Sequence, residues 1–545
     1  MADATYDAVI VGAGTKALVT AMYLTKYGGM DVALFEERVE AGGGWGGEDT
    51  PAPGFIHNVH STDHTAWHIG PVYDDFTDFE EKGAKYIQPK ATGACIFRED
   101  QRCLIFYGDK YDPEGELTAK SIAQFSERDA AIYKQVVDAF NGIWRPIIYE
   151  WFFTVAPPPG ELDILERTLH NPAVGIDPLW LEMSPLQVIE ELFESPEMKA
   201  AILRQMESFP TVHPDMPGGW LGVWGLIASV GWYGLNFAVG SSHSTAHAAV
   251  RVVLENGGKI FTKNKVDKIL IENGKARGIR LTNGTEIEAR KLVVSTLNPY
   301  QLCFNLIGRE HLSANILNRV SNLRSNLITV TWYGWAIHEP PRYTAAKFNP
   351  DINEVQWTTL CDRDYKKQVR FWHMRSAGIM PPDPYLATWC HSRFDPTQAP
   401  QGKQTAAHEA YVLNATALTE REWLKFKKEH AEYAIKTWQE YAPNMTWDNV
   451  IGYDPITPYD IAKRLSNMGP EGNWGVIDHL ASQVGKNRPI PELAQHRTPI
   501  KNLYATGSAW PPFGMATTNQ GYTCYKVIAE DFGLRKPWEE KNRPY

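Results

Sequence analysis

Cysteine is scarce in this chain and never paired. Six residues in 545, at positions 95, 103, 303, 361, 390 and 524, form no CxxC and no metal-ligand spacing. They read as reduced, packed thiols of a cytoplasmic protein. A basic excess is also missing. The formal net charge is −10, whereas a nucleic-acid partner requires a positive footprint. Asp3 and Asp7 leave no basic start before a hydrophobic run, so no secretion signal is expected. Long uncharged runs are rare, and 217–242 is the exception. That run has the length of a membrane span, but it is rich in glycine and has no basic flank to orient it. It is expected to be buried or to line a pocket, with peripheral contact to a membrane or an oily substrate as the alternative. Aromatics, by contrast, are plentiful. The 19 Trp, 24 Tyr and 21 Phe supply core and also suit a pocket for a flat or greasy ligand. A hydrophobic share of 43% and 545 residues predict a globular chain of two domains.

The N-terminus carries a defined motif. A hydrophobic strand from Tyr6 to Val11 runs into Gly12-Ala13-Gly14-Thr15-Lys16-Ala17 and then a helix. Gly12 permits a tight turn, Gly14 lets backbone approach a pyrophosphate, and Ala17 is small enough for helix-on-sheet packing. The pyrophosphate would sit on free amides at the helix start, near Thr15, with Lys16 as an added positive charge. A second strand ends at Glu36, 24 positions beyond Gly12, where a carboxylate accepts the ribose hydroxyls of an adenosine; Glu37 lies beside it. Such a carboxylate disfavours a 2′-phosphate. A further cluster at 42–47 includes Gly43, Gly44 and Trp45, where amides could wrap the diphosphate from the other side. Much later, short strands over 259–294 alternate with Asn273-Gly274 and Asn283-Gly284 turns, a β-meander returning to the first sheet.

These motifs, with the Asn298-Pro299 turn and the closing run from Thr457-Pro458 through Arg488-Pro489 to Gly507, resemble the phytoene desaturase and carotenoid isomerase branch of the amine-oxidase-type FAD superfamily. The resemblance implies an α/β fold: a Rossmann-type FAD-binding domain assembled from discontinuous segments, with a mixed α+β substrate domain. FAD is the implied cofactor. The implied boundaries are FAD-binding pieces at 1–90, 236–299 and 485–545, and substrate pieces at 91–235 and 300–484. It also implies a backbone contact from Val266 to the adenine, and a C-terminal wrap in which Gly507 and Met515 lie close to the flavin. A helix starting near Thr518 and Asn519 would offer its positive end to the flavin ring. The chain departs from the pattern at Lys16 and Ala17, and at 510–515, where Trp510 to Met515 replace a glycine- and histidine-rich run.

In the substrate half, helices are expected over 127–150, 186–207 and 422–441, and strands over 328–335 and 385–390. Trp220, Trp224, Trp232, Tyr233, Trp510 and Phe513 are substrate-contact candidates, with ordinary core packing as the alternative for each. For proton transfer, His64 and Tyr233 are candidates; His57, His60, His64 and His68 form a loop cluster, and no metal is expected. The reading is an FAD-dependent dehydrogenase or desaturase of a hydrophobic isoprenoid or alicyclic substrate, with allylic hydroxylation a related outcome. Electrons would pass to a quinone, oxygen or another carrier. The alternatives are a redox-neutral isomerase, an amine oxidase and a non-enzymatic FAD-bearing scaffold.

Overall fold

The computed structural model describes residues 3–64, 70–208, 211–218, 220–229 and 234–545. Two seven-stranded sheets organise them. In chain order the strands used below are β1 (Ala4–Val11), β2 (Val32–Phe35), β3 (Ala91–Phe97), β4 (Cys103–Tyr107), β5 (Lys259–Phe261), β6 (Val266–Glu272), β7 (Lys275–Leu281), β8 (Glu286–Ser295), β9 (Val330–Ile337), β10 (Val355–Cys361), β11 (Leu386–Trp389), β12 (Gln404–Tyr411), β13 (Val450–Ile456) and β14 (Leu503–Ala505).

The first sheet has the order β6-β7-β8-β1-β2-β5, with β14 also on β8. β1, β2, β5, β8 and β14 pair in parallel, the Rossmann arrangement, and β6 and β7 join as an antiparallel meander. Strands from three distant stretches of chain therefore build one sheet, as the resemblance implied. Its central strands are buried on both faces, which is why they read as unbroken apolar runs. On one face Ala8, Ile10, Leu34 and Val294 pack with helices α1 (Thr15–Lys26), α2 (Ser242–Glu255) and α4 (Asn519–Phe532). On the other, Val9, Val11, Phe35 and Val293 pack with the meander and with Trp510. The Asn273-Gly274 turn has both residues at positive φ, +51° and +72°, the geometry that suits the twist of a hairpin.

The second sheet has the order β13-β9-β12-β11-β10-β3-β4, antiparallel except where β10 meets β3. One face packs against α3 (Glu420–Tyr441), through Tyr333, Trp335, Ala434 and Trp438. The opposite face presents Trp332, Trp357, Ala387, Trp389 and Tyr411. Thr419 caps α3 through a capping box with Glu422, which fixes where that helix starts.

One helix expectation is corrected and one is refined. The 186–207 run is two helices, Pro185–Leu192 and Pro196–Ser208, because the residue before Pro196 is steered away from helical geometry. The 127–150 run contains a π-turn at Phe140–Trp144. Within the uncharged 217–242 run lies a helix, Leu221–Ser229, with Val223, Trp224 and Ile227 buried. Among the described residues no helix is long and apolar enough to cross a membrane.

Candidate active site

One cavity of about 460 Å³ runs between the two sheets. At its first end, β1 delivers Gly12 and Gly14, and the ends of β2 and β6 deliver Glu36 and Val266. Gly12 sits at φ +92°, and a Cβ there would stand 2.6 Å from Thr296 Oγ1. Only glycine fits that turn. Gly14, at φ −73°, lies beside Gly42 and Gly43, so two backbone loops face each other without side chains between them. Such a cradle fits a diphosphate. Glu36 closes this end: its Oε2 accepts from the Ala13 amide at 2.7 Å and its Oε1 from the Arg38 amide at 2.9 Å. Each carboxylate oxygen keeps a further lone pair for a ribose hydroxyl. Thr15, Lys16, Glu37, Gly43 and Gly44 also line the cavity.

The chain's far end closes the middle. Gly507, Ser508, Met515 and Ala516 line the cavity opposite the glycine turn. Two ties hold that loop in place: Lys16 Nζ donates to the Met515 carbonyl, and Trp45 Nε1 donates to the Ala516 carbonyl at 3.0 Å. Burial, reinforced by nearby Arg488, pulls the Lys16 ammonium down to about 7. Arg488 is itself fully buried. It donates to the carbonyls of Gly475, Gln483 and Ser508. Lys16 lines the cavity, where an anionic cofactor would relieve its desolvation, whereas Arg488 stands outside the lining and is spent on backbone carbonyls. Sequence reasoning named Arg488 only as part of a pattern.

Beyond this loop the cavity opens under the second sheet. Trp332, Trp357 and Glu409 line it there, with His60 and Asp63 from the chain that follows the 42–47 cluster. Strand register explains the grouping. Trp332 on β9 pairs with Glu409 on β12, and Glu409 pairs with Ala387 on β11, so their side chains share one face. Trp357 stacks on Trp389 with centroids 4.5 Å apart. Glu409 Oε2 accepts from Trp332 Nε1 at 2.9 Å, while Oε1 has no hydrogen-bond partner among the described residues. Burial pushes the Glu409 carboxyl up to about 7. His60 meets Trp332 edge-on at 5.8 Å, and neither of its ring nitrogens is bonded among the described residues. Burial pushes its pKa down to about 3, so it is a neutral imidazole.

Glu409 makes the stability depend on pH. Its folded pKa lies above the ordinary 4.5, so the folded state gains from the proton. That gain is whole below about 4.5 and is lost as pH rises through about 7. Glu409→Gln is therefore expected to raise stability by on the order of 2 kcal/mol at about pH 8 and to change it little at about pH 4. Thermal unfolding of both proteins at the two pH values checks this.

The other sequence candidates fall in different places. His64 is buried and stands outside the cavity lining, with Nε2 2.7 Å from Ser61 Oγ and Nδ1 2.8 Å from Tyr86 Oη. Both ring nitrogens are engaged within the protein, an arrangement that orients the loop and leaves no free nitrogen facing the cavity. Trp510 is core: fully buried, it donates to the Leu493 carbonyl at 3.0 Å. Phe513 stacks on Trp224 at 5.7 Å, and Trp220 meets Trp151 edge-on at 5.8 Å; none of these rings lines the cavity. Ala17 is buried in the helix–sheet contact. Thr518 and Asn519 are buried at the start of α4 behind Met515 and Ala516, and they do not line the cavity themselves. Trp232, Tyr233 and His68 lie outside the described residues.

Residues 10–78 match the NAD(P)-binding Rossmann-like domain family. Over 98% of its length the chain is 25% identical to a limonene dehydrogenase component of Castellaniella defragrans, covering 96% of that protein. It is also 25% identical, over 96% of its length and 94% of the relative, to pyridine nucleotide-disulfide oxidoreductase domain-containing protein 2 of Rattus norvegicus. An oxidoreductase from Methanosarcina mazei has the same fold, with a TM-score of 0.57 at 16% identity, covering 96% of this chain and 99% of that one. The chain is an FAD/NAD(P)-binding oxidoreductase with a Rossmann-type nucleotide-binding domain.

Proposed function

We propose that this chain is an FAD-dependent oxidoreductase that takes a hydride from a compact, mainly hydrophobic substrate held under the tryptophan face of the second sheet. The observation that carries the reading is the continuity of one cavity, from Glu36 and Val266, past Gly14 and Met515, to Trp332 and Trp357. A nucleotide end and an aromatic end joined in one space suit a cofactor that spans both. When bound, FAD supplies the hydride acceptor. The chain's own residues would do the rest. Glu36 would hold the ribose, the Gly14–Gly43 cradle the diphosphate, and the Lys16 charge would offset the anionic cofactor. The indoles of Trp332 and Trp357 would exclude water and orient the substrate. The raised Glu409 carboxyl can hold or release a proton near neutral pH at the substrate end.

An alicyclic or isoprenoid substrate is supported by the apolar face and by the full-length likeness to the limonene dehydrogenase component. Amine oxidation is the second reading, favoured by a carboxyl set between indoles. The test is anaerobic bleaching of the bound flavin by terpenes, cyclic ketones, carotenoid precursors and amines. Bleaching by one class identifies the substrate, and product mass equal to substrate mass would select isomerisation instead. Glu36→Ala is expected to weaken FAD retention about tenfold, about 1.4 kcal/mol. A purified protein that is colourless and takes up no added FAD would overturn the reading.

A further inference from the structure

The carboxyl of Glu409 is costly where it stands. Its residue is 6% exposed, it lies on the sheet face formed by Val330, Trp332, Ala387 and Trp389, and burial has pushed its pKa up to about 7. Such a group is retained at a loss of stability when it does work. Among the described residues it forms no ion pair. The nearby guanidinium of Arg204 is held by Glu207, which also takes Arg375 at 2.9 Å. One oxygen is fixed by the Trp332 indole N–H at 2.9 Å, which aims the carboxyl. The other, Oε1, is buried and without a partner among the described residues, and Glu409 is one of the residues that line the cavity. Asp63, on the segment facing it, differs: its Oδ1 accepts from Gln356 and lies 3.3 Å from His391 Nε2, and only its Oδ2 has no partner among the described residues. An acceptor that is buried, oriented and unfilled needs a donor from outside the protein.

We propose that Glu409 is the head-group receptor of the substrate compartment. Its Oε1 accepts a hydrogen bond from a single N–H or O–H group on an otherwise hydrophobic molecule, and the indoles of Trp332 and Trp357 hold the hydrophobic body. The proposal rests on the cavity being the substrate compartment of the enzyme proposed above, and it names the substrate class: a hydrophobic ring or chain with one polar donor, in preference to the bare hydrocarbon. The preference arises because a hydrocarbon leaves the carboxyl oxygen unsatisfied, whereas a donor repays its desolvation. The donor is either a hydroxyl or an ammonium. The two are separable, because an amide oxygen can accept from a hydroxyl but cannot neutralise a cation.

The experiment is calorimetric titration of the flavin-loaded protein with cyclohexanol, cyclohexylamine and methylcyclohexane, for wild type, Glu409→Gln and Glu409→Leu. Wild type is expected to bind one of the donors at least about tenfold more tightly than methylcyclohexane, about 1.4 kcal/mol. Glu409→Leu removes that preference. If Glu409→Gln keeps the preference, the head group is a hydroxyl; if it loses the preference for cyclohexylamine, the head group is an ammonium. Equal binding of all three ligands to wild type, no binding of any, or a preference that survives Glu409→Leu overturns the proposal. Retained flavin absorbance in each variant certifies the fold. A wild-type protein that holds no flavin is a failure of the underlying function, distinguishable from loss of ligand preference in a yellow protein.

Discussion

Glu207→Ala is expected to destabilise the chain by about 4 kcal/mol, the cost of stranding buried charge. Glu207 holds two guanidinia at once. Arg204 donates to its Oε2, and Arg375 donates to its Oε1 at 2.9 Å. The side chains of Arg204, Arg375 and Glu207 are 4%, 1% and 3% exposed, so no water replaces the lost carboxylate. Burial already pulls Arg375 down to about 9 with its partner present. Stacking on Trp372 at 4.3 Å and on Tyr411 at 4.9 Å holds it in place and cannot neutralise it. The backbone of Glu207 matters too, since Tyr411 donates to its carbonyl at 2.7 Å. Urea unfolding followed by tryptophan fluorescence measures the effect. Replacing the whole triad, with Arg204→Met and Arg375→Met added to Glu207→Leu, is expected to recover most of the loss. An Ala variant as stable as wild type would mean that the triad is hydrated.

Gly14→Ala is expected to do the reverse: leave the fold intact and remove the cofactor. At φ −73° alanine is not strained, and its methyl would meet only Gly43 Cα, at 3.8 Å. Yet that methyl enters the cradle through which the diphosphate would pass. The affinity of the deflavinated protein for FAD is expected to fall about 100-fold, about 2.7 kcal/mol. Its thermal midpoint without FAD should stay unchanged. Fluorescence titration with FAD measures the first quantity and scanning calorimetry the second. Gly12→Ala is the control, because positive φ and the 2.6 Å approach to Thr296 predict a folding defect. Wild-type FAD affinity in Gly14→Ala would reject the assigned path.

The nucleotide end was legible because its signals are local. Gly12, Gly14 and Glu36 sit within one strand-helix-strand unit, and each residue type is dictated by its own backbone or by the ligand. The C-terminal loop at Gly507 and Met515 was legible only through family resemblance, since nothing local says it will reach Lys16. The aromatic end was not legible. β9 is buried at every position, so it shows no alternation, and the face carrying Trp332 looks the same in sequence as the face carrying Trp335. The Trp332–Glu409 pairing joins residues 77 positions apart through register alone. The substrate candidates Trp510 and Phe513 were chosen for aromaticity, which marks core as readily as pocket. Among the loop histidines, His60 and not His64 reached the cavity, a difference set by how that loop turns between Ser61 and Asn236.

One strand carries a temporal consequence. β8 pairs with β7 along its first half and with β14 along its second, on the same edge. While the ribosome is still making the chain, the β8 edge from Val293 to Ser295 has no neighbour until Leu503–Ala505 emerge, more than 200 residues later. The glycine turn likewise waits for Met515. A nascent chain therefore carries an open sheet edge while those intervening residues are made, a surface that invites mispairing with other chains. The cavity wall formed by Gly507 and Met515 is completed only after that stretch has emerged. Completion of the first sheet and of the cavity wall is thus set by the order in which the pieces leave the ribosome.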